Sequence, residues 1–247
     1  MAANPAFDAL RELLARPPER LPGDAVLATG LASLDEVLAG GFPRGSIVTL
    51  EGPPSSGASA LAARLLAQAT REGLGALVQS EGRLSALGLA AAGVRLERLA
   101  IVTAEEPLGI VRAADILVRS GSFAVVAIPL PRRVRGIGAS VWHRLSGLVQ
   151  RTGTVLTVGG VDPPAELRAA ASVRLGLAIG HVRFRGPSGP FGELAGYEIE
   201  AWVHKHRRAA PGGHARVQCE PFEPRACWGT DDRSGDFGFR ASARDLR

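Results

Sequence analysis

Short apolar segments alternate with helical segments through the middle of the chain, and this alternation restricts the folds open to it. Five segments have the length and apolar content of buried strands: residues 47–51, 76–80, 99–102, 123–128 and 154–158. Four segments between them have helical patterns: residues 59–71, 84–92, 107–120 and 139–150. Such alternation is typical of a parallel sheet covered on both faces. The sequence therefore predicts an α/β fold.

The pattern changes after Ser172, where strand-like segments follow one another without helices between them. These segments are residues 172–179, 182–185, 197–204 and 215–219. Connections this short join antiparallel strands, because a parallel crossover needs a dozen residues or more. We expect these strands to extend the sheet at one edge.

The two ends of the chain differ from this core. Near the start, four apolar residues share one helical face before a Pro-Pro pair ends the pattern: Phe7, Leu10, Leu13 and Leu14. The C-terminal residues are rich in Arg, Asp, Gly and Ser and lack a periodic apolar pattern. We predict an N-terminal helix and tether over 1–23, a core domain over 24–220 and a loosely ordered polar tail over 221–247.

Composition excludes several classes of protein. Of the 247 residues 46% are apolar and 21% are charged, which is too apolar for a disordered chain. No apolar run reaches the roughly 18 residues of a membrane span, and two cysteines, Cys219 and Cys227, do not make a disulfide framework. We expect a cytoplasmic protein that contacts no membrane.

Positive charge is concentrated in one part of the chain. The formal net charge is +5, and Lys205 is the only lysine among 29 basic residues. Between residues 116 and 161 there is no Asp or Glu, but there are six arginines: Arg119, Arg132, Arg133, Arg135, Arg144 and Arg151. This segment predicts a locally positive surface.

A glycine- and serine-rich string between a predicted strand and a predicted helix resembles a phosphate loop. Its residues are Gly52, Pro53, Pro54, Ser55, Ser56, Gly57, Ala58 and Ser59. In the pattern G-x-x-x-x-G-K-[S/T], backbone amides surround the phosphates, the lysine neutralises their charge and the hydroxyl binds Mg²⁺. Both glycines and the hydroxyl fit, but Ala58 stands at the lysine position. The alternative interpretation is a strand-to-helix turn that never held a nucleotide.

The residues around this loop extend the match, and the chain resembles the bacterial RecA recombinases over roughly residues 29–219. The stretches that carry the resemblance are residues 29–35, 41–48, 52–57, 171–175 and 204–211. A short RecA-like chain with an altered phosphate loop also resembles the ImuA family of accessory proteins. The resemblance implies a RecA-like core with a mainly parallel sheet.

Comparison with the recombinase pattern implies that the catalytic parts are missing. The Mg²⁺-anchoring Asp corresponds to Pro129, and the Asn-Gln pair that senses the γ-phosphate corresponds to Gly159-Gly160. Losing one comparable electrostatic group typically costs about 3–4 kcal/mol of transition-state stabilisation. We therefore expect no enzymatic activity, no bound cofactor and no metal.

Some functional positions of the recombinases are retained. Glu81 matches the Glu that orients the attacking water, and Lys205 and Arg207 match the basic residues that cap a neighbour's nucleotide. Each also has a simpler explanation, namely a solvated strand-end carboxylate and a solvated basic surface. A metal site built from the C-terminal His and Cys residues is disfavoured, because their spacing matches no zinc-ligand pattern.

The positive segment coincides with the first DNA-binding loop of the recombinases, at residues 131–138 here. Arg132, Arg133 and Arg135 are therefore candidates for sequence-independent contacts to DNA phosphates. The second loop is reduced to about residues 161–170. The alternative is an arginine-rich surface without a nucleic-acid partner.

Three functions follow from the resemblance. The first is a non-catalytic accessory protein in SOS-induced mutagenic translesion DNA synthesis, which binds an ImuB-like Y-family polymerase homologue through the N-terminal helix. Further partners would be an error-prone replicative-type polymerase, RecA, DNA or a second copy of the chain. The second is an ATP-dependent DNA-binding protein that uses Lys205 or Arg207 from a neighbouring subunit. The third is a regulator of RecA filaments.

Overall fold

The computed structural model describes residues 25–80, 85–130, 136–186 and 192–219. The strands in these parts of the chain are β1 (Val26–Leu27), β2 (Phe42–Pro43), β3 (Ser46–Glu51), β4 (Leu74–Gln79), β5 (Leu99–Thr103), β6 (Phe123–Pro129), β7 (Val155–Gly160), β8 (Val173–Arg185), β9 (Glu193–His206) and β10 (His214–Cys219). The helices are α1 (Ala32–Val37), α2 (Ala58–Glu72), α3 (Ala86–Ala91), α4 (Pro107–Ser120), α5 (Ala139–Thr152) and α6 (Ala165–Ala170).

Eight of these strands form one sheet in the order β10-β9-β8-β3-β7-β6-β4-β5. The six strands from β8 to β5 are parallel to their neighbours. Strands β9 and β10 continue the sheet in antiparallel pairing. The predicted α/β fold, with a mainly parallel sheet and antiparallel strands at one edge, is confirmed.

Apolar residues cover both faces of the sheet, as parallel strands require. On one face, α1, α2 and α3 contribute the buried residues Leu34, Leu65 and Leu89. On the other, α4 and α5 contribute Ile110 and the fully buried Trp142. Alternate residues of each strand face the two layers. A cavity lies at the carboxyl ends of the central strands, where Pro129 and Gly160 line it.

Some elements differ from the sequence-based assignment. Two predicted strands, over 172–179 and 182–185, form the single strand β8, because an irregularity in its pairing with β9 between Ile179 and Val182 absorbs the break in the pattern. The short helices α1 and α6 were not predicted. Each has only six residues, which is too short to give a clear helical period.

The predicted N-terminal helix with Phe7, Leu10, Leu13 and Leu14 lies outside the described residues, and so does the tail from residue 221. The three-part division of the chain stays a prediction. None of the helices described is both long and apolar enough to span a membrane.

Candidate functional site

The phosphate-loop segment joins the end of β3 to the start of α2, as the sequence predicts. Within it the Ser56 amide donates a hydrogen bond to the Pro53 carbonyl over 3.1 Å. Gly57, directly before α2, has a φ of 94°, and a Cβ at this position would overlap the side chain of Ile199. Both the backbone conformation and the neighbouring strand therefore require glycine at this point.

The three altered positions of the recombinase pattern lie around one cavity at the carboxyl ends of the central strands. Ala58 is the first residue of α2, Pro129 the last of β6 and Gly160 the last of β7. Pro129 pairs with Gly159 in the parallel ladder, and the Gly52 amide donates to the Gly160 carbonyl over 3.3 Å. Positions that are far apart in the sequence thus converge where open α/β sheets bind ligands.

The cavity has a volume of about 840 Å³ and a mainly apolar lining. Among the described residues that line it, no side chain is charged, and the polar side chains are Ser55, Ser56, Ser59, Thr157 and Tyr197. Thr157 is 1% exposed, and its Oγ1 has no hydrogen-bond partner among the described residues. The described lining supplies hydroxyl groups and the N-terminal amides of α2, but no cation for phosphates and no carboxylate for a metal.

A carboxylate does lie directly before the phosphate loop, but an arginine engages it. Glu51 accepts hydrogen bonds from Arg174 Nε and Nη2, both over 2.8 Å, and from Thr49 Oγ1 over 2.7 Å. Partial burial raises the pKa of Glu51, but the hydrogen bonds from Arg174 and Thr49 outweigh it, so the pKa lies below its ordinary value. The sequence carries no local signal for this pair, although Arg174 lies within one of the stretches that carry the RecA resemblance.

Lys205 lies in β9 and Arg207 follows its end. Neither of these two candidate nucleotide-capping residues lines the cavity. Lys205 Nζ donates a hydrogen bond to the Ala169 carbonyl over 3.1 Å. Arg207 follows the end of β9 and is exposed. Within this chain, neither residue replaces the charge missing at Ala58.

Two arginines of the positive segment are neutralised by a residue just outside it. The buried Asp115 accepts hydrogen bonds from Arg119 Nη2 over 2.9 Å and from Arg144 Nε over 3.1 Å. The Asp115–Arg144 ion pair also joins α4 to α5. The segment is therefore less positive than its composition indicates, because the acid that balances it lies one residue before the window.

Several candidate residues lie outside the described residues. They are Glu81, the DNA-binding candidates Arg132, Arg133 and Arg135, and the partner-binding candidates Phe7, Leu10, Leu13 and Leu14. Their roles stay predictions.

The antiparallel edge contributes an aromatic residue and a thiol beside the cavity. Tyr197, in the lining, pairs with Cys219 across β9 and β10. Burial raises the pKa of both the Tyr197 hydroxyl and the Cys219 thiol.

The histidines of β9 and β10 have structural partners. His206 Nδ1 accepts hydrogen bonds from the Arg208 and Ala209 amides, and the His214 ring stacks on Trp202. In the described parts of the chain no His, Cys, Asp and Glu side chains group as a metal site would need.

Comparisons with known proteins agree with this architecture. Residues 22–130 match the RecA N-terminal domain family. The chain is similar to Protein RecA of Picosynechococcus sp., with 34% identity over 105 residues, and of Rubrobacter xylanophilus, with 41% identity over 106 residues. Each match covers 42% of this chain but only 30% and 31% of the respective relative. The chain thus spans about a third of the length of these relatives.

The fold is also similar to that of a solved structure, the crystal structure of the RadB recombinase. The TM-score is 0.61 at 21% sequence identity, and the match covers 77% of this chain and 94% of the other. The chain therefore has a RecA-like fold.

Proposed function

We propose that this chain is a non-catalytic RecA-fold accessory protein of SOS-induced mutagenic translesion DNA synthesis. The observation that carries the proposal is the cavity at the phosphate loop, whose described lining contains no charged side chain. A RecA-like fold whose described cavity lining carries no charge offers no cation and no carboxylate there for phosphoryl transfer. We therefore infer that the chain acts by binding other molecules.

Three groups that phosphoryl transfer needs would be missing at once. Phosphoryl transfer depends on a cation at the transferred group, a metal held by a carboxylate and polar groups around the γ-phosphate. Ala58, Pro129 and Gly160 remove one of each. At about 3–4 kcal/mol for one comparable group, each loss alone slows the reaction by about two to three orders of magnitude.

No described carboxylate compensates for these losses. Glu51 is the described carboxylate next to the loop, and both of its oxygens accept hydrogen bonds from Arg174. Releasing it to bind a metal would leave Arg174, whose side chain is only 26% exposed, without its anionic partner. The pair supports a structural role for Glu51.

The partner follows from the resemblance to the ImuA family, whose members act with an ImuB-like Y-family polymerase homologue. We propose that Phe7, Leu10, Leu13 and Leu14 form the contact surface. A helix of about ten residues is marginal alone in water, so this apolar face needs a protein surface to bury it. Arg132, Arg133 and Arg135 would add weak contacts to DNA phosphates.

The test is affinity capture with three purified candidates: the ImuB-like polymerase, the error-prone replicative-type polymerase and RecA. We expect capture of the ImuB-like polymerase with and without Mg-ATP, and loss of capture in Leu10→Asp. A matched control is Ile116→Asp, since Ile116 is 69% exposed on α4. Capture of RecA alone would favour the filament regulator, and capture that requires Mg-ATP would favour the ATP-dependent protein.

A further inference from the structure

The cavity at the phosphate loop opens onto an exposed apolar rim. Val161, Val182 and Leu194 line the cavity and are 41%, 38% and 39% exposed, and Phe184 in the same arm of β8 is 66% exposed. Strand alternation places Val182 and Phe184 on one face of the hairpin formed by β8 and β9. A contiguous apolar surface of this kind, leading into a cavity, is typical of a binding site.

The chemistry of the cavity selects a neutral, apolar occupant. A charged group would lose its hydration without gaining an ionic partner in the described lining, which is unfavourable. Aromatic side chains meet this condition, and an indole offers the largest apolar surface among them.

The chain itself continues past the cavity. Strand β10 ends at Cys219, which pairs with Tyr197 of the cavity lining, so the segment from residue 220 to residue 247 begins beside the cavity. The whole chain has eight Phe, three Trp and one Tyr, and this polar segment contains four of them: Phe222, Trp228, Phe237 and Phe239. Polar segments of this composition are ordinarily poor in aromatic residues, so these four call for a surface that buries them.

We propose that the segment 220–247 docks on its own core, with the Trp228 indole in the cavity at the phosphate loop. Trp228 is the ninth residue after Cys219, and nine residues of extended chain reach about 30 Å. The docked segment thus occupies the place that a nucleotide takes in a functional phosphate loop.

A cysteine next to the anchor makes a direct test possible. Cys227 precedes Trp228, and a disulfide forms only when the two Cα atoms approach to about 4.4–6.8 Å. The test protein is the full chain with Cys219→Ser and Leu194→Cys, which places one thiol on the rim. The control carries Cys219→Ser and Ile116→Cys, because Ile116 is exposed on the opposite face of the sheet.

The measured quantity is the rate of disulfide formation with Cys227 under mild oxidation, without nucleotide, followed by mass spectrometry of linked peptides. We expect a linkage within one chain at least tenfold faster for Leu194→Cys than for Ile116→Cys. Adding Trp228→Ala should slow the Leu194→Cys linkage at least fivefold, while Phe239→Ala should leave it unchanged.

Three outcomes would overturn the proposal. They are equal rates for the two thiol positions, a linkage between two chains whose rate rises with protein concentration, and a rate that Trp228→Ala does not change. Circular dichroism establishes that each variant is folded before its rate is compared. The readout does not depend on a partner protein or on hydrolysis, so it is independent of the proposed accessory role.

Discussion

Arg174 holds Glu51 through two parallel hydrogen bonds of 2.8 Å, from Nε to Oε1 and from Nη2 to Oε2. Glu51 ends β3 immediately before the phosphate loop, and Arg174 lies on β8, the next strand of the sheet. Bidentate pairs of this kind are among the stronger ion pairs in proteins. The pair fixes the start of the phosphate loop to the adjacent strand β8. It also engages both oxygens of the Glu51 carboxylate.

Removing the charge of Glu51 should destabilise the fold in a pH-dependent way. We expect Glu51→Gln to lower the free energy of unfolding at pH 7 by about 1–3 kcal/mol, because the Arg174 guanidinium loses its anionic acceptor. The pKa of Glu51 is lowered in the folded protein, so its contribution is complete above the ordinary value of about 4.3 and is lost as the pH falls through the lower folded value. Urea unfolding at several pH values measures the difference.

The exposed Glu105 provides the control for this experiment, since Glu105→Gln removes the same charge elsewhere. The difference between wild type and Glu51→Gln should shrink toward zero in acid. If the difference in unfolding free energy between wild type and Glu51→Gln persists unchanged below the folded pKa of Glu51, the ion pair is not its cause.

The N-terminal helix should act in assembly and not in the fold. We expect Leu10→Asp to alter self-association or binding of the ImuB-like polymerase while the thermal unfolding temperature stays within about 2 °C. The physical reason is the tether predicted at Pro17 to Gly23, which would separate this apolar face from the core. Light scattering and a binding titration measure the two effects. Global unfolding of Leu10→Asp, or a folded variant with unchanged assembly and binding, would refute this role.

Single-stranded DNA should bind weakly and without sequence preference. Replacing Arg132, Arg133 and Arg135 together by Ala should weaken binding and reduce the slope of log affinity against log salt by about 2, since each lost phosphate contact changes it by about 0.7. Fluorescence anisotropy over a salt series measures both quantities. Unchanged DNA binding in this variant would show that residues 131–138 do not form a DNA-binding loop.

The control for the DNA experiment removes the same charge from other surfaces. Its three substitutions to Ala fall on exposed arginines at the end of α2, in α4 and in α5: Arg71, Arg112 and Arg151. Equal losses in both triple variants would indicate a general charge effect and not a site.

Restoring the lysine of the phosphate loop should not restore hydrolysis. Ala58→Lys adds a cation at the N-terminus of α2, but Pro129 still provides no carboxylate for a metal. We expect higher affinity for a fluorescent ATP analogue with no release of phosphate. Turnover in this single variant would show that Pro129 does not stand at the metal position.

The sequence predicted best those helices and strands whose boundaries are marked by residues at or next to their ends. The bounds of α4 were predicted correctly because Pro107 begins the helix and Gly121 follows its end, which are strong boundary signals. The mainly parallel core with antiparallel strands at one edge was predicted from the alternation of strands and helices and from the RecA resemblance, but the order of the strands was not. Helices such as α1, with six residues, carry too little periodic signal to be recognised.

The side-chain partners could not be predicted from the sequence. Glu51 and Arg174 are 123 residues apart, and their contact exists only because β3 and β8 are adjacent in the sheet. Similarly, Thr157 is an ordinary strand residue in the sequence, and only the fold places it in the cavity. Pairing of this kind is a property of the assembled sheet, which local patterns do not encode.

Phosphate release from ATP by the wild-type chain, with and without single-stranded DNA, tests the central claim most directly. We predict no turnover above that of a mock purification, because charge neutralisation, metal anchoring and phosphate sensing are lost together at Ala58, Pro129 and Gly160. The contradicting result is steady turnover that DNA stimulates and that Glu81→Gln abolishes, since such activity would belong to this chain and would require a working nucleotide site.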